Sequence, residues 1–142
     1  VMTADDPLAR QESVAYADLE GRALALLVED YQLHANMMSR LARAGVSLSK
    51  VIEVAEIDTA YQAAVRGQAV CLSGDCWALA NPWRGTAVLP FEDKACTCDF
   101  YLVTPKGATL GAEAARFRTF AVDWLAAHEH ALFSWDRTPW RG

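Results

Sequence analysis

The sequence predicts an α/β fold built on a mostly parallel sheet flanked by helices. Three observations carry that prediction. Short apolar runs recur at Ala23–Val28, Val51–Ala55 and Ala69–Ser73, each bounded by polar or turn residues, as strands covered on both faces are. Helix-period segments lie between them and close on Gly45 and Gly67, where C-terminal caps belong. Strands alternating with helices in this way are the signature of parallel strands joined by crossovers.

The elements follow in order. Asp5-Asp6-Pro7 is a turn signal after a short opening stretch, and Tyr16–Gly21 reads as one helical turn stopped by glycine. The first strand runs from Ala23 to Val28. Residues 35–44 form a helix with Met37, Met38, Leu41 and Ala42 on one face. Val51–Ala55 is the second strand. Asp58 or Thr59 then caps a helix that carries Tyr61, Ala64 and Val65 on one side. Ala69–Ser73 is the third strand, and a short helix with Trp77 and Leu79 ends near Asn81-Pro82. Thr86–Phe91 and Thr97–Val103 read as fourth and fifth strands, before the breaker Pro105-Lys106-Gly107. The last helix, about 111 to 130, is the clearest element. Phe117, Phe120, Ala121, Trp124, Leu125 and His128 repeat at helical spacing along it. The tail, Ser134 to Gly142, has no period.

Composition narrows the function. With 142 residues, 53% hydrophobic and 22% charged, the chain holds about one domain with a real core. The longest aliphatic run, Ala23–Val28, is far short of the ~20 residues of a membrane helix. No basic stretch followed by an apolar segment opens the chain. The expectation is a cytoplasmic protein without a membrane partner. A net charge of −5 argues against this chain gripping a phosphate backbone by itself. The acid is concentrated early, with ten Asp/Glu against five Lys/Arg in residues 1–60.

Cys71, Cys76, Cys96 and Cys98 are spaced C-x4-C and C-x-C, which is neither a disulfide scaffold nor a zinc motif. Reduced, half-buried thiols are the simpler reading. On a strand Cys96 and Cys98 would share a face, which keeps a redox or metal pair as an alternative. No metal or other cofactor is expected.

Ligands of open α/β sheets bind beyond the carboxyl ends of the strands. Three loops meet that rule. They hold Glu29, Asp30 and Tyr31; Glu56, Ile57, Asp58 and Thr59; and Ser73, Gly74 and Asp75. Helix capping accounts for Asp58 and Asp75, which sit just before helices. Glu29 and Glu56 point instead to a ligand whose amine or hydroxyl groups donate to them. An uncompensated like charge in a crevice is costly, so a simple carboxylate fits less well. Nucleophile-elbow, zincin, P-loop and dinucleotide motifs are all missing. His128 and His130 suit the C-terminal end of a helix dipole, and nothing in the spacing supports a dyad of His34 with Cys71 or Cys76. The reading is of a binding domain, not an enzyme.

Several stretches resemble the effector-binding domain of LysR-type transcriptional regulators. Asp6-Pro7-Leu8-Ala9 is similar to that family's HPLA, and Asp18-Leu19-Glu20-Gly21 to its DL-x-G. Glu53-Val54-Ala55-Glu56-Ile57-Asp58 followed by Val65-Arg66-Gly67-Gln68-Ala69-Val70-Cys71-Leu72 resembles E-V-x-S and V-x-x-G-x-G-I-A-L-L-P. Val88-Leu89-Pro90-Phe91, Phe100–Pro105 and Phe117–Leu125 complete the likeness, the last resembling F-x-x-W-L. Ala69 replaces the second glycine, and Ser73-Gly74 stands where Leu-Pro is common.

The resemblance covers about residues 1–127. It implies a lobe like those of type II periplasmic binding proteins, with an effector held between two lobes joined by crossing strands. The crossings would fall near Val1–Asp5 and Cys98–Thr104. Residues 1–104 would form the effector-binding lobe, 105–133 a helix of a second, incomplete lobe, and 134–142 a tail. A winged helix-turn-helix that reads DNA would precede Val1, so that the chain is cut at the inter-lobe hinge. The implied partners are a small-molecule effector and other copies of the chain, with DNA reached only through the absent domain. Phe117, Phe120, Trp124 and Leu125 would then form an apolar patch that packs on another copy or on the chain's own lobe. The alternatives are a free-standing solute-binding domain of this fold and a cysteine-based redox or metal sensor.

Overall fold

The computed structural model describes residues 1–29, 31–74, 77–78, 83–96, 101–107 and 109–133, with backbone alone over 129–133. The chain forms two compact units, the first over Val1–Cys98 and the second over Asp99–Asp136.

In the first unit the described strands are β1 (Met2–Thr3), β2 (Ala23–Leu27), β3 (Lys50–Val54), β4 (Val70–Cys71) and β5 (Thr86–Ala87). Helix α1 spans Gln32–Arg43 and α2 spans Ile57–Val65. A three-stranded parallel sheet has the order β3-β2-β4, with Leu24 opposite both Val51 and Val70. A separate antiparallel pair joins β1 to β5, with Met2 opposite Ala87. The start of the chain also lies along β4. The Val1 amine donates to the Cys71 carbonyl at 2.7 Å, and the Cys71 N–H donates to the Val1 carbonyl at 2.7 Å.

Strand alternation sorts β2 between two cores. Leu24 and Leu26 pack with Met37 and Leu41 of α1, and with Leu8, Val14 and Leu19 of the opening segment. Ala25, between them, faces Ala60, Tyr61 and Ala64 of α2. Small side chains on both elements let α2 lie close against the sheet. Each large aliphatic side chain on the α1 side contributes about 1.5–3 kcal/mol by burial. Both helices end in a Schellman motif. Val46 N–H donates to the Leu41 carbonyl and Gln68 N–H to the Ala63 carbonyl, with Gly45 and Gly67 at φ +69° and +67°.

The expected α/β class and parallel core are present, with several corrections. Helix α1 begins at Gln32 rather than 35. The third strand shortens from 69–73 to Val70–Cys71, because only Leu24 and Ala25 of β2 lie beside it. The fourth strand shortens from 86–91 to Thr86–Ala87, because β1 offers only two partners, and Phe91 makes an isolated bridge to Val14. Of the expected fifth strand, 97–100 lie outside the described residues and 101–103 are not strand. In the short helix, Trp77 and Ala78 are helical, and Leu79 falls outside the described residues.

The second unit holds α3, Ala112–Phe133, slightly longer than the expected 111–130. No helix among the described residues is long and apolar enough to cross a membrane.

Candidate functional site

The three candidate loops leave the carboxyl ends of three adjacent parallel strands. Strand order reverses at β2, which puts a topological switch point between β2 and β4. Two backbone bonds hold the loops together. Val28 N–H donates to the Val54 carbonyl at 3.0 Å, and Leu72 N–H donates to the Ala25 carbonyl at 2.8 Å.

Glu29 is exposed on the loop after β2, and Asp30 lies outside the described residues. Tyr31 is extended at the N-terminus of α1, and the residue is 48% exposed. Its backbone is fixed by a bond from its N–H to the Val28 carbonyl and by one from the His34 N–H to its own carbonyl. After β3, Glu56 occupies the N-cap of α2 without a side-chain capping bond. This corrects the expectation that Asp58 or Thr59 caps that helix. Asp58 and Thr59 fall in the first turn, both exposed, where the Asp58 carboxylate complements the helix dipole. Ile57 is half-buried against the Ala60–Tyr61 core, so packing accounts for it. After β4, half-buried Ser73 accepts a hydrogen bond from the wholly buried Tyr61 hydroxyl at 3.2 Å. Ser73 Oγ in turn donates to the Gly74 carbonyl at 3.3 Å. Asp75 lies outside the described residues. The rim therefore offers two exposed glutamates, an exposed aromatic ring, a positioned hydroxyl, and the N-termini of α1 and α2.

Sequence reasoning weighed His34 only as a dyad partner and did not place it in the core. It is buried in the first turn of α1, with Nε2 3.5 Å from Glu53 Oε1 on β3. Its Nδ1 meets no partner among the described residues. The signal was present, since His34, Met37 and Leu41 sit at i, i+3 and i+7. The Cys71 thiol is directed to the Leu72 carbonyl at 3.6 Å, so His34 and Cys71 have different partners. Burial pushes the Cys71 thiol up to about 11. Cys76 and Cys98 lie outside the described residues.

Two polar networks brace the lobe away from the rim. Arg22 pairs with Asp6, whose carboxylate also accepts the Leu8 N–H at 3.0 Å. The bond from Arg22 holds the Asp6 carboxyl below its ordinary value. Tyr16 donates to Asp93 Oδ2 at 2.8 Å and stacks on Phe91 with centroids 5.3 Å apart. Arg40 of α1 joins the same Asp93 and the Ala95 carbonyl. Asp93 is held low, first by the Tyr16 hydroxyl. Tyr16 is pushed up by burial and then by hydrogen bonds with Cys96 and Asp93. Among the described residues no three His, Cys, Asp or Glu side chains gather as a metal site.

A family model for the LysR substrate binding domain matches residues 1–126. The chain belongs to that family. Residues that carry the family likeness do structural work in this LysR substrate-binding domain. Asp6 and Leu8 brace and bury the first turn, and Leu19 enters the α1-side core. Among solved structures, the fold resembles that of the Synechocystis PCC6803 CcmR regulatory domain in complex with 2-PG. The TM-score is 0.72 at 16% identity, over 89% of this chain and 59% of that one. No curated protein matches the chain in sequence.

Proposed function

We propose that this chain is the effector-sensing module of a LysR-type regulator, binding a small metabolite at the carboxyl ends of β2, β3 and β4. The observation that carries the reading is the family match over residues 1–126, on a fold whose switch point gathers the Glu29, Glu56 and Ser73 loops. In this reading the module is cytoplasmic and non-catalytic, works as paired copies, and reaches DNA through a domain outside this chain. Effector binding shifts how those copies sit on DNA by favouring one of two arrangements.

CcmR's named ligand, 2-PG, is the first compound to test, followed by hydroxylated and cationic metabolites. Glu29 and Glu56 are exposed, hence hydrated without ligand. Covering them with a ligand that donates no hydrogen bonds removes that hydration without replacing it. The preferred ligand therefore presents amine or hydroxyl donors to them, while Ser73 and the helix N-termini accept or bind its other groups.

The test is thermal unfolding across such a panel, followed by Glu29→Gln, Glu56→Gln and Ser73→Ala. A ligand at a hundred times its Kd stabilises by about 2.7 kcal/mol. Affinity should fall several-fold in at least one glutamate variant. Unchanged affinity in both glutamate variants would refute the acidic rim, and unchanged affinity in all three would move the site elsewhere.

A further inference from the structure

We infer that the first turn of α1 opens away from the end of β3 as a local unit, with the His34 side chain as the contact that releases. This stands whether or not the rim holds an effector. Leu26 lies opposite Glu53 in the parallel register, so both side chains leave the sheet on the α1 face. There Glu53 Oε1 meets His34 Nε2 at 3.5 Å, the outer limit of a hydrogen bond. The Glu53 side chain is half-exposed, so water competes for it. His34 Nδ1 is shielded from solvent and meets no partner among the described residues. A buried imidazole with one long contact and one bare nitrogen is held against its own desolvation cost. Opening lets water reach both nitrogens.

The contacts along α1 place the break. Farther along the helix, Met37 and Leu41 are buried in the core, and Arg40 binds Asp93 and the Ala95 carbonyl. The first turn brings half-buried Leu33 beside His34, and its N-cap, Tyr31, makes no side-chain capping bond. Three backbone bonds tie that turn to the rim. His34 N–H donates to the Tyr31 carbonyl at 2.9 Å, Tyr31 N–H to the Val28 carbonyl at 3.1 Å, and Val28 N–H to the Val54 carbonyl at 3.0 Å. The relay runs from the residue that carries the imidazole to the strand that carries Glu53. Movement of the first turn therefore takes Tyr31 with it and frees Val28 from Val54, which parts the Glu29 loop from the Glu56 loop. Segments with little buried apolar surface are the ones that open below global unfolding. Simple fraying of the helix end would stop at Tyr31 and leave Val28 bonded, whereas release of His34 from Glu53 frees both.

The experiment is amide hydrogen exchange of the whole chain, read residue by residue by NMR where exchange reports the opening equilibrium. The reference is the Leu72 amide, which donates to the Ala25 carbonyl on the other side of β2. In wild type Val28, Tyr31 and His34 should share one level of protection, about ten-fold or more below that of Leu72. His34→Leu keeps a side chain of similar bulk, removes both nitrogens and leaves half-exposed Glu53 to water. It should raise the protection of all three amides about ten-fold and leave Leu72 unchanged. Glu53→Ala, which strips Nε2 of its partner, should lower their protection. If the imidazole merely stabilised the closed form, His34→Leu would lower protection too. Protection that falls or stays level in His34→Leu therefore overturns the inference. So does a wild type in which Val28 is as protected as Leu72, a result that depends on no variant folding.

Discussion

The hydroxyl of Tyr61 links the α2 core to the rim. Its ring is wholly buried, among Ala25, Ala60 and Ala64 and 5.8 Å from Trp83, and its oxygen donates to Ser73 Oγ at 3.2 Å. Tyr61→Phe keeps the ring burial and deletes that bond. Ser73 is half-buried and finds water in its place, so the net cost should be about 1 kcal/mol, the usual worth of a neutral hydrogen bond. Tyr61→Ala, which also empties the ring's space, should cost about 3–5 kcal/mol. Urea unfolding of wild type, Tyr61→Phe, Ser73→Ala and the double variant forms a complete cycle. The expected coupling is about 1 kcal/mol, or about 3 °C in Tm for a chain of this size. Single effects that add within about 0.3 kcal/mol would refute the bond as the link between core and rim.

Further outcomes follow from the packing and the ion pairs. The two faces of β2 should respond to opposite changes. Leu26→Ala leaves a cavity costing about 3 kcal/mol, while Ala60→Leu overpacks the α2 side by about 1–3 kcal/mol, both read from urea midpoints. Asp6→Asn should cost about 2 kcal/mol at pH 7 by removing a charge-assisted pair. The Asp6 carboxyl titrates below its ordinary 3.8 when folded, so its contribution is complete above that value and fades as pH falls through the folded one. Wild type and Asp6→Asn should therefore converge in stability below about pH 4, and a gap that stays constant from pH 7 to pH 3 would contradict the pairing. Cys71, raised to about 11, is thiolate in only about one molecule in a thousand at pH 8. Peptide mass spectrometry after brief iodoacetamide treatment should find it unmodified until the chain is denatured. Rapid native modification of Cys71 would favour the cysteine-sensor alternative.

Local pattern made much of this fold readable. The apolar run of β2, the capped ends at Gly45 and Gly67 and the stripe on α3 all follow from neighbours within a few residues. Long-range pairing did not. β4 is two residues long because β2 stops beside it, and β5 is short because β1 is, facts that depend on partners some 45 to 85 residues away. The same limit applies at the rim. The sequence placed Glu29, Glu56 and Ser73 at strand ends, whereas the bond from Tyr61 to Ser73 needs the packed sheet. Asp58 was read as the cap because aspartate favours that position. Glu56 takes it with extended backbone, since β3 runs almost directly into α2.

The bonds between Val1 and Cys71 have one more consequence. An exposed strand edge is a template for another chain, and proteins that stay dispersed blunt such edges. Here the outer edge of β4 is occupied by Val1, which takes both a donor and an acceptor of Cys71. At the opposite edge β3 carries exposed Lys50 and Glu53, charges that discourage an added strand. Blunted on both sides, the parallel sheet resists growth by strand addition.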